Sequence, residues 1–460
     1  MPQLVPWIPR AGAASATMRS ATPVSRDGSQ TLDRELWPVI MVPGIMGSRI
    51  EMASGTDRIW DPDRTVFMLW LMTQSPDTLT RHYNYRLNPG RTMGSIYDDD
   101  NNAYESQDAA ERAFGLTRNQ RNWGSVSWEY YGPGTLAMQR AIAAQGGVMW
   151  CFGYDWREPN QDTGLALKNF IKNTVRPTSP YKPIIITHSM GGLVTRAGCA
   201  IHEMESLVSA VIHTMMPTHG AAECYASIKS GGMAGAFAYL IGDTPQEVQC
   251  TSSGVAGMYQ LMCNNLYPDP TWLSLDSRLG PAGTPSSTTH HTADMYTIYR
   301  EANAMVGLVK HSEFATGVVN VGSSRYVNTT RRVLSHILEN IEMAENYHTN
   351  QVRDYCHPQT WLIAGTGKNT VTDVNVAYTQ PTYHGTPLNP VAVTTHRATT
   401  LGDATVPLVS ARALESHANC QGGFVTSGNN EHAKSVNDPV VIPAMVNLIQ
   451  TARTQTATRW

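Results

Sequence analysis

The sequence predicts an α/β fold: a mostly parallel central sheet flanked by helices, with a large cap insertion. Short apolar runs recur along the chain, namely "WPVIMV" (37–42), "VMWCF" (148–152), "PIIIT" (183–187), "AVIHTMM" (210–216) and "TWLIA" (360–364). They are brief, rich in β-branched residues and apolar on both faces, as strands covered by helices on both sides must be. Amphipathic runs at helical spacing lie between them: "GTLAMQRAIAAQG" (134–146), "DTGLALKNFIKNTV" (162–175) and "GGLVTRAGCAIHEM" (191–204). A final one, "VIPAMVNLIQTA" (441–452), carries its proline in the first turn. Strand–helix alternation of this kind requires right-handed crossovers and a mainly parallel sheet.

Two stretches break the alternation. Residues 51–130 are turn-rich and contain several Trp and Tyr, and residues 220–355 are too long for a connecting loop and read as a cap. The expected organisation is therefore a disordered or loosely attached leader over 1–35 and a core over 36–219 and 356–460. The core carries the 51–130 insertion, and 220–355 forms the cap.

Composition narrows the function classes. Of the 460 residues 41% are hydrophobic and 15% charged, enough apolar side chain for a sizeable core. A formal net charge of −3 gives no basic field and argues against a nucleic-acid partner. No apolar run is long enough to span a bilayer, and the first thirty residues lack the continuous apolar segment of a secretory signal. Seven cysteines, an odd number without a CxxC pair, read as free thiols in a reducing compartment such as the cytoplasm. Export stays open, with Cys250 and Cys263 the pair that could then bridge. Oligomeric state is not legible.

The chemistry concentrates at "IIITHSMGG" (184–192), where a buried strand stops and Ser189 precedes two glycines. A nucleophilic serine on an α/β sheet needs such a tight strand-to-helix turn, with small residues around it so that helix and strand can approach. Gly191 satisfies the requirement, whereas Thr187 stands where G-x-S-x-G has glycine. On the bland reading Ser189 only caps a helix. His188 is expected to point away from any pocket. "VIMVPGIMGSRIE" (39–51) ends a strand at Pro43–Gly44, where the N–H of Ile45 can serve with that of Met190 as an oxyanion donor. Otherwise it is a plain turn. Asp403, in "TTLGDATVPLVSA", is suited to orient a histidine or to form an Asx-turn. His432, in "SGNNEHAKSV", is preferred as the base over His417, whose segment has helical spacing. The order Ser, Asp, His is that of α/β-hydrolases. No metal or cofactor is expected: His290, His291 and Asp294 lack a further ligand at helical spacing, and the "DDD" run at 98–100 reads as a solvated turn.

With these blocks in view, the chain resembles the lecithin:cholesterol acyltransferase-like lipases and phospholipases of the α/β-hydrolase superfamily. The resemblance runs from about residue 37 to 450. It is carried by "PVIMVPGIMGSRIE", "FGYDWRE" (152–158), "ITHSMGGLVTR", "MMPTHGAAEC", "GMYQLM" (257–262), "IAGTGKNT", "GDATVP" and "EHAKSVND". It implies an α/β-hydrolase fold, with Ser189 as nucleophile, Asp403 as orienting acid, His432 as base, and Ile45 and Met190 as oxyanion donors. Asp155 and Arg157 of the Y-D-W-R block are expected to pair and shape the floor of the site. Trp60, Trp70 and Trp123 are candidates for an interfacial or acyl-binding surface, with core packing as the commoner fate of such rings. The expected activity is hydrolysis of lipid-like or bulky apolar esters through an acyl-enzyme, with action at an interface, as by a lipase, or on soluble esters, as by an esterase, left open. Transfer of the acyl group to an alcohol and a non-catalytic lipid-binding role are the alternatives.

Overall fold

The computed structural model describes residues 3–7, 35–74, 76–94, 109–230, 245–276, 288–290, 294–300, 308, 324–379, 382–383, 386–387, 392–427 and 431–460, and the statements below concern these. The main sheet uses β1 (Gln3–Trp7), β2 (Trp37–Val42), β3 (Gly147–Cys151), β4 (Ile184–His188), β5 (Ala210–Thr214), β6 (Thr360–Thr366) and β7 (Cys420–Ser427). Their spatial order is β1-β7-β6-β5-β4-β2-β3. Every pair from β7 through β3 is parallel, and β1, drawn from the expected leader, adds antiparallel to β7 at the edge. Each expected core strand is present within one or two residues of its predicted bounds.

Side chains alternate across this sheet with the period of the pleat. Ile40, Val42, Val148, Trp150 and Ile185 enter one core, where Leu193, Val194 and Ala197 of the Met190–His202 helix pack. Val39, Met41, Met149, Ile184 and Ile186 enter the other. That face is covered by Leu136, Met138 and Ile142 of the Trp128–Ala143 helix, and by Ala444, Met445 and Leu448 of the Val441–Thr456 helix. Full burial of such side chains stabilises by about 1.5–3 kcal/mol each. This explains why the strand runs carry no polar face.

A second, four-stranded sheet lies beside the first. Its order is Thr288–His290, Leu273–Asp276, Lys368–Thr379, Ala392–Gly402. The last two form an antiparallel hairpin, and Leu273–Asp276 of the insertion runs parallel to Lys368–Thr379. The domain division expected from sequence placed 368–402 wholly in the core. In the structure this hairpin shares a sheet with the 220–355 insertion. The chain leaves β6 through Gly367, whose φ of +105° suits glycine, and continues directly into the hairpin.

Candidate active site

The elbow is built as the sequence requires. β4 ends at His188 and the Met190–His202 helix begins two residues later, with Ser189 between them at φ 51° and ψ −126°. That strained conformation is held on both sides. The Ser189 N–H donates to the Thr214 carbonyl (2.9 Å), and the Ser189 carbonyl accepts from the Gly192 N–H (2.9 Å). A Cβ on Gly191 would lie 2.5 Å from the carbonyl oxygens of Val42 and Pro43, so only glycine lets the helix approach β2. Thr187 is accommodated because its Oγ1 hydrogen-bonds Nδ1 of buried His213 at 2.9 Å. Burial holds that imidazole neutral, with its pKa lowered to about 3.

Three side chains from distant segments meet here. His432 Nε2 is 2.9 Å from Ser189 Oγ, and His432 Nδ1 is 2.7 Å from Asp403 Oδ2. The other carboxylate oxygen of Asp403 accepts the N–H groups of Thr405 (3.0 Å) and Val406 (2.7 Å). Asp403 is buried, and Gly365 leaves room for it: a Cβ there would sit 2.7 Å from that of Asp403. Its Asx-turn geometry and its contact with His432 coexist, because each oxygen serves one of them.

Ile45 follows the loop glycine Gly44 and lines the cavity above Ser189. Met190 opens the helix behind the elbow with its side chain buried beneath. Backbone N–H groups in a first helical turn lack intrahelical acceptors, which leaves that of Met190 suited to meet negative charge. The cavity measures about 220 Å³. Its walls are largely apolar, from Met46 of the loop, Pro217, Ala221, Met258 and Leu261 of the insertion side, and Val406. Glu223 and Ser227, on the Ala222–Ser230 helix, supply polar groups.

The turn that carries His432 is seated on a helix that the sequence reading began too late. The Trp128–Ala143 helix starts six residues ahead of the predicted Gly134 and runs through Pro133. Its first turn is capped by Asp63, which accepts from Ser127 Oγ (2.6 Å) and from the N–H groups of Trp128 (2.7 Å) and Glu129 (3.0 Å). Pro133 cannot donate to the Glu129 carbonyl. Asn437, at the end of the His432–Asn437 turn, donates to that carbonyl at 2.8 Å and accepts from the Gly134 N–H at 2.9 Å. A Cβ on Gly134 would fall 2.0 Å from the Val436 carbonyl oxygen. Gly134→Ala is therefore expected to push the turn outward. Stability should drop by about 1–3 kcal/mol in urea melts, and ester turnover about 10-fold to 100-fold. Unchanged turnover would mean that the turn tolerates the displacement.

Other expectations resolve individually. His188 does not point away: it lines the cavity wall beneath His432, with ring centroids 4.9 Å apart. His417 takes no part, since its Nδ1 accepts the Asn419 N–H in the turn before β7. Asp155 and Arg157 form a buried bidentate pair (2.8 and 2.6 Å). Arg157 also donates to the carbonyls of Asn88 (2.8 Å) and His82 (3.3 Å). The pair thus ties the 51–130 insertion to the core, and neither residue lines the cavity. Trp60 and Trp123 are core residues that donate to the Met46 and Met149 carbonyls, while Trp70 lies on the surface. Asp294 caps the Met295–Arg300 helix through Thr297. His291 and the 98–100 run fall outside the described residues, among which no group of His, Cys, Asp and Glu is suited to hold a metal. All seven cysteines, Cys250 and Cys263 included, are free thiols. No helix of the described residues is long and apolar enough to cross a membrane.

A parallel sheet with a serine elbow at the end of a central strand, met by an acid and a histidine from beyond later strands, defines an α/β-hydrolase. The chain belongs to the lecithin:cholesterol acyltransferase family, whose model matches residues 143–443, a span that includes Ser189, Asp403 and His432. Enzymes of this family act on acyl esters of lipids. No functionally curated sequence matches the chain. A chain in the crystal structure of the Tle4–Tli4 complex shares the fold, with a TM-score of 0.69 and 19% identity over 91% of this chain and 99% of that one.

Proposed function

We propose that the protein is a serine carboxylic-ester hydrolase acting on lipid-like or bulky apolar esters. The observation that carries this reading is the continuous hydrogen-bonded series Ser189–His432–Asp403 at the base of a largely apolar cavity. Ser189 Oγ attacks the ester carbonyl while His432 Nε2 takes its proton. The N–H groups of Ile45 and Met190 receive the charge that develops on the carbonyl oxygen. Collapse expels the alcohol, protonated by His432, and leaves an acyl-Ser189. Water then repeats the sequence and releases the acid. Asp403 keeps the imidazole in the tautomer that presents a lone pair to Ser189.

An exposed apolar surface on the 51–130 insertion fits a lipid substrate. The Thr65–Met72 helix turns Val66, Leu69, Trp70 and Met72 toward solvent, with exposures of 79, 57, 44 and 44%. Patches of this kind mark interaction surfaces. The test is labelling with a fluorophosphonate, read by mass spectrometry, followed by product analysis on an ester panel. One equivalent on Ser189 and release of free acid support the proposal, and absence of labelling refutes it. Acyl transfer begins from the same acyl-enzyme, so the panel includes an alcohol acceptor. Labelled ester appearing in place of free acid would establish transfer as the principal reaction.

A further inference from the structure

Two buried side chains outside the Ser189–His432–Asp403 series connect its surroundings. Tyr131 projects from the Trp128–Ala143 helix and His188 from the end of β4, and each is only 2% exposed. The Gly44 N–H donates to Tyr131 Oη at 2.9 Å. Tyr131 Oη is 2.8 Å from His188 Nδ1, and His188 Nε2 is 3.0 Å from the carbonyl oxygen of His432. A carbonyl only accepts, so Nε2 carries the proton and Nδ1 is an acceptor. The tyrosine hydroxyl must then donate to Nδ1, and it accepts from Gly44. Every donor and acceptor direction is fixed. The series runs one way, from the loop that bears Ile45 to the backbone of the general base.

Both members stay uncharged over the working range. Burial, then the neighbouring His432, holds the His188 imidazole well below its usual pKa, and burial raises the Tyr131 phenol. The His432 backbone is gripped at both ends, because its N–H also donates to the Asp403 carbonyl at 3.1 Å. At the other end, Gly44 has no room for a side chain: a Cβ would lie 2.9 Å from that of Ser189 and 3.1 Å from His188 Nδ1.

We infer that Tyr131 and His188 are positioning residues that set the oxyanion loop and the catalytic base against one another across the back of Ser189. The inference rests on the hydrolase reading of the site. Neither residue touches the reacting atoms in this role. What they fix is the distance between the Ile45 N–H and His432 Nε2, which must act together on one tetrahedral intermediate. Displacements of about 1 Å at such sites cost on the order of 100-fold in rate. The relay accounts for a histidine directly before the nucleophile without giving it a proton to transfer.

The test compares Tyr131→Phe, His188→Gln, His188→Asn and His188→Leu in the full chain. Turnover of a soluble p-nitrophenyl ester is normalised to fluorophosphonate-titrated sites, with Ser189→Ala as the control. Tyr131→Phe is isosteric and breaks the relay at its centre. It should lower kcat about 10-fold to 100-fold with KM changed less than about threefold, and lower the melting temperature by only a few degrees for the two buried groups left without a partner. Glutamine at 188 restores a donor near the Nε2 position, whereas asparagine restores only the acceptor near Nδ1. Each amide restores one of the two contacts, so His188→Gln and His188→Asn should each regain only part of the kcat lost in His188→Leu. A Tyr131→Phe enzyme within twofold of the parent overturns the inference. So does equal impairment of the three His188 variants in step with their melting temperatures. Full activity in Ser189→Ala would instead overturn the hydrolase reading itself.

Discussion

Ser189→Ala is expected to lower kcat for ester hydrolysis on the order of 10⁶-fold, and Asp403→Asn about 10⁴-fold, each with the fold intact. The two values differ for a geometric reason. Alanine removes the attacking oxygen, leaving only the oxyanion donors and the cavity to favour reaction with water. Asparagine leaves every heavy atom in place but changes a proton. The Asp403 oxygen that accepts from Thr405 and Val406 must remain an oxygen, because two N–H groups point at it. The amide nitrogen of Asn is then forced into the other position, 2.7 Å from His432 Nδ1. Two donors cannot share that contact, so the imidazole moves its proton to Nε2 and can no longer accept one from Ser189. Because the residues act as one unit, the double variant should be no slower than Ser189→Ala alone. Steady-state kinetics with circular dichroism on each variant checks this. A loss below about tenfold in Asp403→Asn would remove Asp403 from the proposed mechanism, and multiplicative losses in the double variant would show that the two residues act separately.

Much of this site was legible because its signals are local. The serine elbow is a strand end, a serine and a glycine in close succession, and Gly191 is required by contacts with the adjacent β2. Asp403 and His432 could be read from chain order, each in a short polar stretch behind a strand. What escaped depends on pairing between distant residues. Leu273–Asp276 carries no mark of its partner Val374–Ala377, since parallel pairing leaves no turn signature between them. Pro133–Gly134 reads as a helix boundary, and in isolation it would be one. The helix continues because Asn437, hundreds of residues later, supplies the donor and acceptor that the proline disrupts. His188 was expected to face away because strand alternation says nothing about a ring lodged beneath a loop. The Y-D-W-R pair was recognisable as a pair, yet its attachment to Asn88 and His82 appears only in the folded chain.

Stability should fall steeply as pH drops below about 6.5, with a linkage of at least three protons, before most carboxylates titrate. Burial, then the Arg196 charge, lowers the pKa of both His213 and His219 to about 3. Burial likewise lowers that of His348 to about 3, and holds His82, His188 and His357 below the usual imidazole range, so that these add to the loss in the same sense. Arg196 is itself buried, donating to the carbonyls of Tyr355 (2.9 Å) and Arg353 (2.8 Å), so protonation of His213, His219 or His348 would set a second cation beside an existing one. In the unfolded chain the same groups protonate near 6.5. Between about 6.5 and 3 the unfolded state therefore binds more protons, and stability present above that window is lost as pH falls through it. Each imidazole accounts for about 1.4 kcal/mol per pH unit. Glu158 acts in the opposite sense: burial, then Asp155 and Asp162, raises it to about 7, so its protonation on acidification favours the folded state. Being only partly buried, it offsets at most one of these imidazoles. Against a total of about 5–15 kcal/mol for a folded protein, a net loss of about 3 kcal/mol or more per pH unit removes a large share of the stability by about pH 4. Urea midpoints measured from pH 8 to 4.5 give the proton number directly. His348→Gln keeps a donor for the Gln260 carbonyl, which His348 Nε2 reaches at 2.9 Å, and should remove about one proton from the slope. A flat profile from 6.5 to 5 would mean that water reaches these imidazoles and lets them charge within the fold.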